Sequence, residues 1–232
     1  MRKKIIAANW KMHGSLECIG QYFADFFQLY KKNPVECVFF PPYVYIPSVL
    51  EQVRTKSCVV GAQNVYWEDS GAFTGEVSAP MLKDLGCQYV LIGHSERRHL
   101  FAENEKNVAD KFHHAKEHGM IPVLCVGETL EEREKGLAAR VLARQLATVL
   151  LNDKKAFDNA VIAYEPVWAI GTGQTASPEQ AQQMHATIRQ ELTEISECRV
   201  EEIPIIYGGS VNEKNAKALF SMPDVDGGLV GG

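Results

Sequence analysis

Short unbroken apolar runs alternate along this chain with stretches of helical periodicity. The runs fall at 5–9, 37–40, 58–62, 88–92, 121–126, 160–164, 204–207 and from 226 to 230. Each has strand length and is closed by polar residues, Gly or Pro, the pattern of strands buried on both faces. Between them, Ser15 opens a helix with Leu16, Ile19, Phe23, Phe26 and Tyr30 on one face. A shorter helix is predicted over 46–54 and a longer one over 103–118. Thr129 and Glu132 form a capping box ahead of a helix carrying Ala138, Leu142, Leu146 and Val149. Ser177, Pro178 and Gln180 open another, with Ala181, Met184, Ile188, Leu192 and Ile195 inward, and a last one starts near Asn212. Eight such units in 232 residues predict a single (β/α)8 barrel domain over 1–232. An open doubly wound sheet is the alternative, weakened by the lack of Gly-x-Gly-x-x-Gly after the first run.

A barrel of this kind places its site at the C-terminal ends of the strands. The polar residues at those ends are Asn9 and Lys11 after the first run, Gln63 and Asn64 after the third, and His94 and Glu96 after the fourth. Glu165 closes the sixth run, Gly208-Gly209-Ser210 the seventh and Gly231-Gly232 the eighth. Glu165 is the candidate general base. Pro166 stops strand pairing beside it, and a loop with Trp168, Gly171 and Gly173 precedes the next helix. A carboxylate under such a cover loses water, and a desolvated carboxylate is a stronger base. His94 stands at the start of a short helix, whose N-terminus disfavours an imidazolium, so a neutral ring could donate to a carbonyl. Lys11 offers a cation and Asn9 a neutral donor. The glycines after the last two strands, with Gly171, offer backbone N–H groups to a phosphate. One base, one neutral electrophile and one cation suit proton abstraction next to a carbonyl on a small phosphorylated substrate.

Composition narrows the field. The chain is 46% hydrophobic and 23% charged, with a net charge of −5, which gives no electrostatic case for nucleic acid or anionic membrane. No apolar run reaches the length of a membrane span, and residues 1–13 lack a signal-peptide core. The six cysteines (18, 37, 58, 87, 125, 198) are scattered and are expected as reduced core thiols of a cytoplasmic protein. His113, His114, His118 and His185 fall on helical stretches and are expected at the surface. A metal site needs ligand partners, and the chain is expected to contain no His-x-x-x-His pair or Cys/His cluster.

The segments Asn9-Trp-Lys-Met12, Gly93-His-Ser-Glu-Arg-Arg98, Cys125-Val-Gly-Glu128, Tyr164-Glu-Pro-Val-Trp-Ala-Ile-Gly-Thr-Gly173, Tyr207-Gly-Gly-Ser-Val211 and Gly227-Gly-Leu-Val-Gly-Gly232 resemble the triosephosphate isomerase family, in order and over essentially the whole chain. The resemblance implies a glycolytic and gluconeogenic isomerase that interconverts dihydroxyacetone phosphate and D-glyceraldehyde 3-phosphate, without cofactor or metal. It implies that Glu165 shuttles the proton, that neutral His94 polarises the carbonyl, and that Lys11 and Asn9 support the enediolate and phosphate. Gly171, Ser210, Gly231 and Gly232 would donate to the phosphate, Glu96 and Cys125 would back the catalytic groups, and 166–176 would be a closing lid. It further implies a homodimer, in which the loop over 69–76 brings Thr74 to the partner's Asn9 and Lys11 region. This sequence departs from the family at His13, where asparagine is usual, and at Gln174, where lysine is frequent. It stops at Gly232, where the family continues into a last helix expected to cover the eighth strand. Another phosphosugar lyase or synthase, and a non-catalytic phosphate-binding protein on the same scaffold, are the alternatives.

Overall fold

The computed structural model describes residues 2–31, 34–54, 56–170 and 175–231. Eight parallel strands close into a barrel in sequence order: β1 Ile5–Asn9, β2 Glu36–Phe40, β3 Cys58–Ala62, β4 Tyr89–Ile92, β5 Ile121–Val126, β6 Val161–Tyr164, β7 Ile205–Tyr207 and β8 Gly227–Gly231. β8 pairs back onto β1, with Asn9 opposite Gly231. The doubly wound alternative is thereby excluded. The helices are α1 Leu16–Leu29, α2 Ile46–Val53, α3 Ala79–Leu85, α4 Ser95–Leu100, α5 Glu105–Glu117, α6 Leu130–Glu134, α7 Ala138–Leu150, α8 Pro178–Ile195 and α9 Ala216–Phe220.

The period of two along each strand divides the apolar residues between two cores. Ile5, Ala7, Val38, Phe40, Tyr89, Leu91, Val123, Cys125, Val161, Ala163, Ile206 and Leu229 fill the barrel interior. The intervening positions, such as Leu124, Val126 and Ile162, pack with Phe23, Phe112, Leu146 and Ile188 from the helices. Both capping boxes form as expected, Thr129 with Glu132 and Ser177 with Gln180.

Four expectations need correction. The helix predicted to run on from Thr129 is split into α6 and α7, because Gly136 takes φ +69°. α3 is an addition to the expected elements, a short helix whose end is set by Gly86 at φ +103°. His185 is not a surface residue: it is fully buried, against Tyr164 and Tyr207, and burial lowers its pKa to about 4. Cys18 is exposed rather than in the core, although all six thiols are free.

The N-terminal rim of the barrel is tied by charge. Asp226, fully buried before β8, accepts from Arg2 Nε at 2.8 Å, Lys4 Nζ at 3.2 Å and Arg189 Nη2 of α8 at 3.2 Å.

Candidate active site

The strand period also builds the site. Val161 and Ala163 point into the barrel, and the next inward position is Glu165; Ile5 and Ala7 point inward, and Asn9 is the next in that row. Glu165 is only 2% exposed, and its N–H still donates to the Val126 carbonyl at 2.7 Å. Its Oε2 accepts the N–H of Ser95 at 2.9 Å. Its Oε1 lies 2.9 Å from His94 Nε2 in a contact not aligned as a hydrogen bond, so this buried oxygen has no hydrogen-bond partner among the described residues. A buried carboxylate oxygen without a donor keeps its lone pairs open to a group entering the cleft.

His94 caps α4. Its Nδ1 accepts the N–H of Glu96 at 3.3 Å, which in a neutral ring leaves the proton on Nε2, facing the barrel mouth. Burial pushes the imidazole pKa down, but the charge of Glu165 at Nε2, with Glu96 beyond it, outweighs burial and raises it overall. The Glu165 carboxylate thus acts against the helix N-terminus, which disfavours the imidazolium. Asn9 Oδ1 accepts the Lys11 N–H at 3.0 Å; its Nδ2 lies 3.3 Å from His94 Nε2, and with the ring proton on Nε2 the two nitrogens are both donors and make no hydrogen bond.

Lys11 is a non-glycine residue in the left-handed region, at φ 50°. Such a conformation costs about 1–3 kcal/mol and persists only when its surroundings enforce it. Here Gln63 Nε2 donates to the Lys11 carbonyl at 2.9 Å and to that of Phe40 at 2.8 Å. The ammonium meets Glu96 at 2.7 Å. Cys125 lies fully buried inside the barrel; burial, and then the Glu165 charge, push its thiol pKa up.

Asn9, Lys11, His94, Glu165, Ile170, Gly208, Gly209, Ser210 and Gly231 share one cleft of about 210 Å³. Gly208 differs from expectation. The Gly208 N–H already donates to the Tyr164 carbonyl at 2.7 Å and is not free for an anion. Instead its missing side chain gives room to the base, since a Cβ there would lie 2.9 Å from Glu165 Cγ. Thr74 does not line the cleft and lies exposed on the loop after β3. Gly171, Gln174 and Gly232 lie outside the described residues.

Glu128 is a site residue to which the sequence assigns no role. It is fully buried after β5 and gathers three donors: Tyr164 Oη at 3.0 Å, Trp168 Nε1 at 2.9 Å and Arg133 Nη1 at 2.9 Å. The Arg133 guanidinium also stands over the Trp168 ring at 4.6 Å. Trp168 sits in the 3₁₀ turn Val167–Ala169, the first part of the 166–176 loop. A signal does exist, because Glu128 comes after the fifth apolar run much as Glu165 comes after the sixth.

With this geometry in place, comparison with known proteins is decisive. A family model described as triosephosphate isomerase matches residues 4–232. The chain belongs to the triosephosphate isomerase family. A protein named triosephosphate isomerase from Legionella pneumophila is 57% identical over 233 residues, covering all of this chain and 94% of the relative. One of the same name from Shewanella woodyi is 49% identical over 240 residues, covering all of this chain and 92% of the relative. Another from Shewanella loihica is 48% identical over the same length, with the same coverage.

Proposed function

We infer that this chain interconverts dihydroxyacetone phosphate and D-glyceraldehyde 3-phosphate through an enediolate, with Glu165 as the base. Membership of an enzyme family supports catalysis over a purely binding role. The observation that carries the assignment of the base is the buried Oε1 of Glu165, which has no hydrogen-bond donor among the described residues and faces the same cleft as His94 and Lys11.

In the free chain Glu165 rests on the Ser95 N–H and against His94. Leaving that N–H frees Oε2 as well to face the substrate. Substrate entering the cleft separates Glu165 from His94, and the ring proton on Nε2 then serves the carbonyl oxygen. Glu165 takes the carbon-bound proton and returns it to the neighbouring carbon, while His94, having given its proton to the first oxygen, regains one from the neighbouring hydroxyl, which becomes the new carbonyl. Lys11 and Asn9 stabilise the developing oxyanion. Ser210, Gly231, Gly171 and Gly232 serve the phosphate, with Glu96 and Cys125 behind the reacting groups. Residues 166–176 close as a lid over one domain spanning 1–232, excluding water from the enediolate.

The working form is a homodimer. A second cleft of about 180 Å³ adjoins Lys11 and His94 and is lined by Met12 and Phe101, which are 94% and 67% exposed. Its exposed apolar side chains, Met12 and Phe101, set among polar ones such as Asn64 and Glu96, suit the Phe73–Thr74 tip of a second copy. The setting is cytoplasmic, in keeping with six free thiols; among the described residues no helix is long and apolar enough to cross a membrane.

Triose-phosphate isomerisation by Glu165→Gln tests the reading. A loss of roughly 10³-fold in kcat with an intact fold is expected from removing a general base. Glu165→Asp, which draws the carboxylate back by about 1 Å, should lose on the order of 100-fold. Near-normal turnover in both would overturn the assignment.

A further inference from the structure

The loop after β3 meets α5 at a cluster that the isomerase chemistry does not use. His114 and His118 are one turn apart on α5 and present their rings on one face, with centroids 4.7 Å apart. Asp69 reaches in from the loop. Its Oδ1 lies 2.7 Å from His118 Nε2 and 3.3 Å from His114 Nε2. One ligand atom from each of the three residues lies within 4.8 Å of the others. This His-x-x-x-His pair corrects the expectation that the chain contains none. None of the three residues lines the catalytic cleft.

We propose that Asp69, His114 and His118 form a binding site for a divalent transition-metal ion of the zinc class. Two imidazoles and one carboxylate are a ligand set for zinc, cobalt or nickel rather than for magnesium or calcium, which take oxygen. Around a tetrahedral ion with bonds of about 2.0–2.1 Å, ligand atoms stand roughly 3.3 Å apart, the separation of Asp69 Oδ1 from His114 Nε2, and the 2.7 Å contact to His118 would widen by a small side-chain shift. A second observation points the same way. His114 Nε2 is buried and makes no hydrogen bond among the described residues. An aromatic nitrogen hidden from water beside a second imidazole and a carboxylate lacks only an electrophile. Neighbouring lysines do not supply one. Lys111 is bound to Glu103 and Asn64, and Lys116 to the carbonyls of Ala156 and Asp158.

Such an ion would add a tie between two elements already joined by Lys111 to Asn64 at 2.9 Å. Asp69 is 61% exposed on a loop, whereas His114 and His118 belong to a packed helix. Binding would fix the descending limb of the loop that carries Phe73 and Thr74. The site is structural and stands apart from the isomerase reaction, so its test does not depend on the assignment of Glu165.

The experiment is titration of the chelator-stripped full chain with ZnCl₂ by calorimetry and with CoCl₂ by visible absorption. One saturable equivalent is expected, with cobalt bands of nitrogen and oxygen ligation and no thiolate charge transfer. Asp69→Asn, His114→Gln and His118→Gln should each weaken binding by at least about 10-fold, as loss of a ligand does at minimum. Zinc should also slow amide exchange over 66–76. Absence of a saturable equivalent, unchanged affinity in the variants, or a cobalt–thiolate band would overturn the proposal. Asp69→Asn changes an exposed loop residue, so its result stands even if a helix variant misfolds. Circular dichroism and isomerase activity verify the fold of each protein.

Discussion

His94 Nε2 and Glu165 Oε1 stand 2.9 Å apart across the barrel mouth, the proposed acid and base held against each other in the free chain. Burial disfavours the imidazolium, and the Glu165 carboxylate more than compensates, so the His94 pKa lies above its ordinary value. Nitrogen-15 NMR of the free chain should therefore show a His94 midpoint above about 6.5, the ordinary value. In Glu165→Gln the midpoint should fall, because burial remains while the main opposing charge is gone. The stability linked to this ring has a definite sign. A raised folded-state pKa contributes fully below the unfolded value and is lost as pH rises through the folded midpoint. An unchanged midpoint in Glu165→Gln would contradict the pairing.

Glu128 should behave as an anchor for the lid, not as a reactant. Its carboxylate holds Tyr164, Trp168 and Arg133, and burial, then the Glu128 charge, keeps the Tyr164 hydroxyl protonated as a donor. Glu128→Ala takes the shared acceptor away from a partly buried guanidinium, a partly buried indole and the buried Tyr164 hydroxyl. A stability loss of about 3–5 kcal/mol is expected by urea unfolding. Glu128→Gln should lose less, because an amide still accepts from the indole and the phenol. In Glu128→Gln, kcat should fall while the pH profile of kcat/KM stays in place. A shifted profile would mean that Glu128 takes part in proton transfer.

Lys11→Met keeps the length of the side chain and removes the cation. The loss should appear chiefly in kcat/KM, by on the order of 100-fold, as for deletion of an electrostatic donor. Glu96 then loses its partner at 2.7 Å, so Glu96→Gln should be much milder and should not rescue the lysine variant. Steady-state kinetics at several ionic strengths decides: the dependence of kcat/KM on salt should flatten in Lys11→Met.

Dimer formation makes a prediction of its own. Thr74→Arg places a long cation at the exposed tip of the loop after β3, where it would meet the notch of Met12, Phe101, Lys11 and Arg97 on a second copy. Sedimentation velocity should show a shift from dimer towards monomer, and specific activity should become dependent on protein concentration. Monomer in the unaltered chain would refute the arrangement.

Most of the barrel is legible in the sequence because a strand buried on both faces writes an apolar run, and each run lies within one residue of its observed strand at both ends. Asn9, His94 and Glu165 are legible for a related reason: a polar residue at the end of such a run must sit at the barrel mouth. The features that escape depend on contacts between distant elements. His185 is polar and lies on a helix, yet it faces Tyr164 and Tyr207 in the core, a placement set by α8 packing against β6 and β7. The Gly208 N–H is taken by a neighbouring strand, and no local pattern tells a free N–H from a paired one. α3 carries only a short apolar pattern, and its boundary is set by the conformation of Gly86.

The charged cluster around Asp226 has a consequence for aggregation. Arg2 and Asp226 are 224 positions apart, and they meet where β1 pairs with β8. A closed barrel has no edge strand, but opening this one seam would expose two at once, each a template for pairing with another chain. Three cations converging on one buried carboxylate oppose that opening where it would begin. The same carboxylate, unpaired in a partly opened state, would carry a charge into any sheet that tried to grow from the β8 edge.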